Sequence, residues 1–126
     1  RMMAEAPSLD PAVALRRFVE NALDPEPEPE LVERIVALRT LYPPDPAGWA
    51  AQAGIWSTFD AWDDLPSIAA PTLVVHGEGD TVVDARNGAL LAGRISGAQL
   101  RLVAGGHLFF WNRPAELVTL LEEFLG

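Results

Sequence analysis

The stretch Ala70-Pro71-Thr72-Leu73-Val74-Val75-His76-Gly77-Glu78-Gly79-Asp80 decides how the chain folds. Its apolar, β-branched run over 72–76 predicts a strand that is buried on both faces, as in a parallel sheet. The two glycines that follow allow a sharp turn of the backbone, and Asp80 comes directly after them. In open α/β sheets, functional groups gather beyond the carboxyl ends of the strands, so Asp80 is placed where chemistry is expected.

A second strand is predicted over Gln99-Leu100-Arg101-Leu102-Val103-Ala104, and it ends at Gly105-Gly106-His107. The segment between the strands, 85–94, predicts a helix, and a strand–helix–strand connection in one sheet makes the strands parallel. Neighbouring strands lie about 4.8 Å apart, so both carboxyl ends open on one edge. We therefore expect Asp80 and His107 to meet. A carboxylate fixes the tautomer of an imidazole and stabilises the imidazolium that forms on proton uptake.

The composition narrows the classes of function. The 126 residues are 49% hydrophobic, which suits one globular unit. The absence of cysteine excludes a disulfide framework, a thiolate nucleophile and a zinc–cysteine site. A net charge of -9 argues against nucleic acid or anionic lipid as a partner. No apolar run has membrane-spanning length and no signal-peptide core is seen, so a cytoplasmic protein is expected. No cofactor is predicted.

The first half of the chain is predicted to be helical and the second half to be β-α-β-α, which makes the fold class α/β. Asp10-Pro11 and Asp45-Pro46 are typical helix starts, and a composition shift near Leu65 divides the chain into 1–64 and 65–126. The helical faces predicted to be buried comprise Leu15, Phe18, Val19 and Ala22, then Leu31, Ile35, Leu38 and Tyr42, and in a last helix over 114–125 Leu117, Val118, Leu121 and Phe124.

Several residues near the predicted site have more than one possible role. Asp80 also suits a turn in which its carboxylate bonds its own backbone. Asp84 is interpreted as the N-cap of the following helix, and His76 as a packed, hydrogen-bonded structural histidine. The glycines before His107 instead free the backbone to aim that side chain out of the sheet. The spacing of the two histidines relative to Glu78 or Asp80 is not that of metal ligands, so no metal site is predicted.

Aromatic residues are concentrated in two segments. Trp49, Trp56, Phe59 and Trp62 belong to the third helical region, and Leu108-Phe109-Phe110-Trp111 follows His107. Packing is the favoured interpretation of both groups, with one or two members free to face a ligand. The residues expected to contact substrate are Trp56, Phe109 and Trp111.

Ala70 to Val83, together with Gly105-Gly106-His107-Leu108-Phe109-Phe110-Trp111 and Arg113-Pro114, closely resembles the C-terminal part of the α/β-hydrolase superfamily. The similarity is to its esterase, enol-lactonase and non-haem haloperoxidase-like branch and is specific over 65–126. The helical first half resembles, more weakly, the cap that these enzymes insert before their last strands. By this resemblance Asp80 is the catalytic acid and His107 the catalytic base of a triad.

The nucleophile of such a triad precedes the acid in chain order. It is a serine in a G-x-S-x-G turn, and none of Ser8, Ser57, Ser67 or Ser96 has that setting. The resemblance therefore implies the C-terminal portion of a serine hydrolase that acts on a small-molecule ester, lactone or similar acyl substrate. With the nucleophile-bearing half and the oxyanion-hole loop absent, the chain alone is expected to be inactive.

Two alternatives stay open at this point. An epoxide hydrolase or dehalogenase with an aspartate nucleophile would share the acid and the histidine. A non-catalytic binding or assembly module would keep the strands, but Asp80 and His107 would not meet. If the chain is a hydrolase fragment, the strand over 72–76 lacks the earlier strands of the sheet, and its open edge favours self-association or pairing with the missing half.

Overall fold

The computed structural model describes residues 10–56 and 58–126 of the chain. Its elements, in chain order, are α1 (Pro11–Ala22), α2 (Pro29–Leu41), α3 (Pro46–Trp56), a 3-10 turn (Leu65–Ser67), β1 (Leu73–Gly77), α4 (Arg86–Arg94), β2 (Gln99–Val103), α5 (Phe109–Asn112) and α6 (Pro114–Leu125). The predicted order of helices and strands is confirmed, and the short helix α5 is an addition to it. Ser8 and Ser57, neither of which stands in a G-x-S-x-G sequence, lie outside the described residues.

The two helix starts predicted from Asp-Pro pairs are formed as expected. The Asp10 carboxylate accepts a hydrogen bond of 2.8 Å from the N–H of Ala12, and Pro11 occupies the first turn of α1. The Asp45 carboxylate likewise accepts a bond of 2.6 Å from Gly48 in α3. Each aspartate satisfies an N–H group that has no partner inside the helix, which is why the chain turns into a helix at these points.

Strands β1 and β2 pair in parallel, with Leu73 opposite Gln99 and Gly77 opposite Val103. The helix α4 between them packs against both strands. The parallel arrangement is confirmed, but the prediction that β1 is buried on both faces is wrong. Its residues are half-buried except for Gly77. Within the described residues β2 is its only strand neighbour, so much of its surface has nothing to pack against.

The hydrophobic core lies between α1 and α2. Val19, Leu23, Val32 and Ile35 are at most 3% exposed, and Leu108 and Trp111 pack against them from the segment after His107. The core therefore joins the helical half of the chain to the end of the sheet. Burial of each such side chain stabilises the fold by roughly 1.5–3 kcal/mol.

In three sets of residues predicted to be buried, some or all members are exposed. Leu38 in α2 and Tyr42, directly after it, are exposed, because the face that meets α1 passes through Val32 and Ile35 instead. The aromatic side chains of the third helical region are also exposed, namely Trp49, Trp56, Phe59 and Trp62.

The last of these sets lies on α6. Val118 and Leu121 are exposed, whereas Leu117 and Phe124 are only half-buried. An apolar stripe indicates which face of a helix avoids water but not which surface covers it. Among the described residues no surface covers these faces of α3 and α6. The same residues contain no helix that is both long and apolar enough to cross a membrane.

The close approach of α1 to the loop before His107 depends on a glycine. A Cβ atom at Gly106 would overlap the carbonyl oxygen of Leu23 and lie 2.7 Å from that of Ala22. Gly106→Ala is therefore expected to lower the free energy of unfolding by about 3 kcal/mol, since backbone must move to admit it.

The matched control is Gly93→Ala in α4, where a Cβ atom would meet nothing within 4 Å. This change should raise stability by about 0.5–1 kcal/mol, because alanine favours the helix. Urea denaturation of both variants measures the difference. Equal stabilities would contradict the close contact between α1 and Gly106.

Candidate active site

The loops that follow β1 and β2 are tied to each other by backbone hydrogen bonds. Glu78 N–H donates to the carbonyl of Val103 at 2.8 Å, and Gly79 N–H donates to that of Gly105 at 2.9 Å. Gly105 has φ +121°, a conformation that a residue with a side chain rarely adopts. The glycines of both loops thus permit the crossing that carries Asp80 and His107 to a common edge.

Asp80 uses both of its carboxylate oxygens. Oδ1 accepts hydrogen bonds of 2.8 Å from the N–H groups of Val82 and Val83. Oδ2 accepts a hydrogen bond of 2.9 Å from Nδ1 of His107. The structure therefore shows the turn contacts and the contact with the imidazole together, since one oxygen bonds the turn and the other bonds His107. The prediction of the non-catalytic alternative, that the two side chains do not meet, is wrong.

The Asp80 side chain is only 3% exposed. This burial raises the pKa of Asp80, but hydrogen bonds from Val83, His107 and Val82 outweigh it, so the pKa lies below its usual value. The carboxylate is consequently ionised at neutral pH and accepts hydrogen bonds without donating any.

His107 presents its second ring nitrogen outward. Because ionised Asp80 is an acceptor, Nδ1 of His107 carries the proton and Nε2 has the free lone pair. The ring is 37% exposed, and among the described residues Nε2 has no hydrogen-bond partner. An imidazole in this tautomer, held by a carboxylate, can take a proton from a hydroxyl group placed at Nε2.

The carboxyl end of α1 supports both loops, which the sequence did not predict. The hydroxyl of Thr81 donates a hydrogen bond of 2.9 Å to the carbonyl of Asn21, and Leu108 N–H donates one of 2.7 Å to the carbonyl of Ala22. The acceptors are backbone groups that every residue carries, so no residue type or spacing signals these contacts.

An ion pair reinforces the same junction. Arg113 Nη1 lies 2.9 Å from Oδ2 of Asp24, so α1's end is tied to the segment just before α6. The pair joins residues 89 positions apart, and no local pattern predicts it.

His76 and Asp84 differ in how well they match their predicted roles. His76 is packed and hydrogen-bonded as expected, with Nε2 lying 3.0 Å from the carbonyl of Val83. Asp84 stands one position before the N-cap Ala85, so its assignment as the N-cap is wrong by one residue. Its carboxylate still accepts from the N–H of Arg86 at 2.9 Å, and its side chain pairs with the Arg86 guanidinium, which together lower its pKa to about 2.

The three aromatic residues expected to contact substrate have different surroundings. Phe109 is buried and packs edge-to-face on Phe110, with ring centroids 5.8 Å apart. Trp111 packs against the α1–α2 core, and the guanidinium of Arg34 lies 5.6 Å from its ring centroid. Trp56 is exposed and contacts Trp49 edge-to-face. The contact of these side chains with a substrate stays a prediction.

A cavity of about 530 Å³ opens beside Trp111 and is not lined by Asp80 or His107. Its lining is mostly charged and does not suit an acyl chain, since it includes the carboxylates of Asp24, Glu26, Glu28 and Glu30 and the guanidiniums of Arg34 and Arg113. Within residues 10–56 and 58–126, no group of three or more His, Cys, Asp or Glu side chains is placed to bind a metal ion.

The lowered pKa of Asp80 makes stability depend on pH. The native pKa of Asp80 lies below the unfolded value of about 3.9. Ionised Asp80 therefore contributes fully to the free energy of unfolding above pH ~4, and this contribution is lost as pH falls through the native pKa. Unfolding free energies measured in urea from pH 6 downward should therefore decline more steeply in the wild type than in Asp80→Asn.

Asp84→Asn is the control for this prediction, because Asp84 also has a lowered pKa but its side chain is 50% exposed. In 1 M salt the effect of Asp84→Asn should disappear, whereas that of the buried Asp80 should persist. Parallel pH profiles for the wild type and Asp80→Asn would contradict the role of this carboxylate.

The chain matches the family model described as alpha/beta hydrolase fold over residues 8–114. Among curated proteins it is 38% identical over 77 residues to poly(3-hydroxyalkanoate) depolymerase of Ectopseudomonas oleovorans, a match that covers 61% of this chain and 26% of the relative. The chain thus spans about a quarter of that relative's length.

Two solved structures extend the comparison. The esterase EaEST from Exiguobacterium antarcticum superposes with a TM-score of 0.83 at 22% identity, over 99% of this chain and 46% of that one. Est816, described as an N-acyl homoserine lactone degrading enzyme, superposes with a TM-score of 0.70 at 32% identity, over 95% of this chain and 51% of that one. The first likeness shows the fold, and the family match covers most of the chain. The chain belongs to the α/β hydrolase fold family.

Proposed function

We propose that this chain supplies the catalytic acid, Asp80, and the catalytic base, His107, of an α/β-fold serine hydrolase. The observation that carries the proposal is the 2.9 Å contact between Asp80 Oδ2 and His107 Nδ1 at the ends of two adjacent parallel strands. The acid precedes the histidine along the chain, as in the triads of this fold.

The chemistry follows from the tautomer of His107. Its Nε2 accepts the proton of a nucleophilic hydroxyl as that oxygen attacks the substrate carbonyl. The imidazolium that results is stabilised by the adjacent Asp80 carboxylate. The same Nε2–H then protonates the departing alcohol. Deacylation repeats the sequence, with water as the nucleophile.

The substrate class that we propose is an ester, a lactone or a similar acyl compound. Support comes from two similar proteins that are more than 30% identical, a poly(3-hydroxyalkanoate) depolymerase and an N-acyl homoserine lactone degrading enzyme. Of the three aromatic residues expected to contact substrate, Trp56 is exposed beside Trp49, whereas Phe109 is buried and Trp111 packs against the α1–α2 core.

No serine of the 126 residues stands in a G-x-S-x-G sequence, which is the setting of the nucleophile in this fold. We therefore propose that this chain acts together with a nucleophile-bearing segment that completes the site. Without the attacking oxygen, the acid and the histidine provide no acyl transfer.

Replacing His107 with Ala in the hydrolase that contains both segments should abolish turnover of an acyl ester, with a loss of at least about 10³-fold in kcat. A p-nitrophenyl ester assay measures the loss. Asp84→Asn is the matched control and should retain wild-type turnover, because Asp84 bonds only to its own helix end. Turnover near the wild-type level in His107→Ala would overturn the assignment.

The second prediction concerns assembly of the chain alone. The exposed apolar residues of α6 and the open strand edges favour association with a second copy when no other segment covers them. Sedimentation at high concentration should show a dimer or larger species, and Leu121→Lys should shift it toward the monomer. A well-behaved monomer of the wild type would contradict this prediction.

A further inference from the structure

A second imidazole lies against the catalytic acid. His76, near the end of β1, places Nε2 3.1 Å from Oδ2 of Asp80, the same oxygen that holds His107 at 2.9 Å. Nε2 of His76 also lies 3.0 Å from the carbonyl oxygen of Val83. The side chain of His76 is only 13% exposed, so little water reaches its ring.

The two oxygens decide which nitrogen of His76 carries the proton. A backbone carbonyl is an acceptor, and so is the Asp80 carboxylate, whose pKa lies below its usual value. A bare lone pair on Nε2 would face two acceptors and repel both. Nε2 of His76 therefore carries a hydrogen, which it donates to Val83 O beside the carboxylate.

This N–H completes a set of hydrogen bonds that links His76, Val83 and Asp80. The N–H of Val83 donates to Oδ1 of Asp80, while the carbonyl of the same residue accepts from His76. His76 thus holds the far end of the loop that presents Asp80, and its N–H faces the oxygen that His107 uses. Displacing the ring would remove one of the contacts that hold the loop and the carboxylate in place.

A glycine in α4 sets the position of the His76 ring. A Cβ atom at Gly88 would lie 3.1 Å from Nδ1 and 3.2 Å from Cβ of His76, closer than ordinary van der Waals contact. Gly88 is buried, and α4 lies against the ring because this position has no side chain. Substitution at Gly88 therefore moves the imidazole without altering its chemistry.

We propose that His76 is a positioning residue for the catalytic acid, which keeps Asp80 oriented toward His107 through the N–H on its Nε2. This proposal rests on the proposed roles of Asp80 and His107, and it assigns His76 no contact with the substrate.

The first experiment uses the chain itself and the downfield NMR resonance of the His107 Nδ1 proton. Glutamine places an amide N–H at the position of Nε2, whereas asparagine reaches only the position of Nδ1 and leucine has no donor. We expect the resonance in the wild type and in His76→Gln, and its loss by solvent exchange in His76→Leu and His76→Asn. Gly88→Ala should weaken it, and Gly93→Ala, in the same helix but against open space, should not.

The second experiment measures steady-state kinetics in the hydrolase that contains both segments. His76→Leu should lower kcat about tenfold with KM unchanged, because orientation of the base is lost but substrate binding is not, and His76→Gln should restore most of it. Urea midpoints of all variants separate this effect from a loss of stability.

The outcomes distinguish this inference from the proposed function. An unchanged resonance and an unchanged kcat in His76→Leu would overturn the role of His76, while loss of turnover in His107→Ala would still support the triad. Turnover that survives in His107→Ala would overturn the triad, and the NMR series would then test the His76 contact by itself. If His76→Leu unfolds the chain, Gly88→Ala against Gly93→Ala decides the question.

Discussion

The arrangement at the sheet edge depends on keeping the carboxylate of Asp80 ionised where little water reaches it. An ion in that position is costly unless donors surround it. Hydrogen bonds from Val82, Val83 and His107 meet this need. The turn after β1 is therefore shaped around the charge, and the histidine is held by the same charge. Local fold and proposed chemistry share one interaction.

The pairing of acid and histidine could be predicted because it follows from rules that act locally. A β-branched run, a glycine turn and a second strand after a helix suffice to place Asp80 and His107 at one edge. The register, with Gly77 opposite Val103, brings the two loops level. Residue types carry these signals, so the sequence alone predicts that Asp80 and His107 lie close together.

Other features could not be predicted, for physical reasons that differ from case to case. The contact of Thr81 with Asn21 uses a backbone carbonyl, and the pairing of Asp24 with Arg113 joins distant segments. The burial errors in α3 and α6 have another cause. Apolar patterning reports a tendency to avoid water, whereas burial requires a partner surface that the pattern does not contain.

The contact between the carboxyl end of α1 and the two loops limits which helical segments could replace α1 in a chimaeric protein. Its carbonyl groups, rather than its side chains, receive Thr81 and Leu108. A helical segment from a different protein would fit only if its own last turn ended at the same height and angle. It would also need small or apolar side chains where Ala22 and Leu23 are buried, and an acid to pair with Arg113. Backbone shape together with these few side chains would then decide which chimaeras keep Asp80 and His107 aligned.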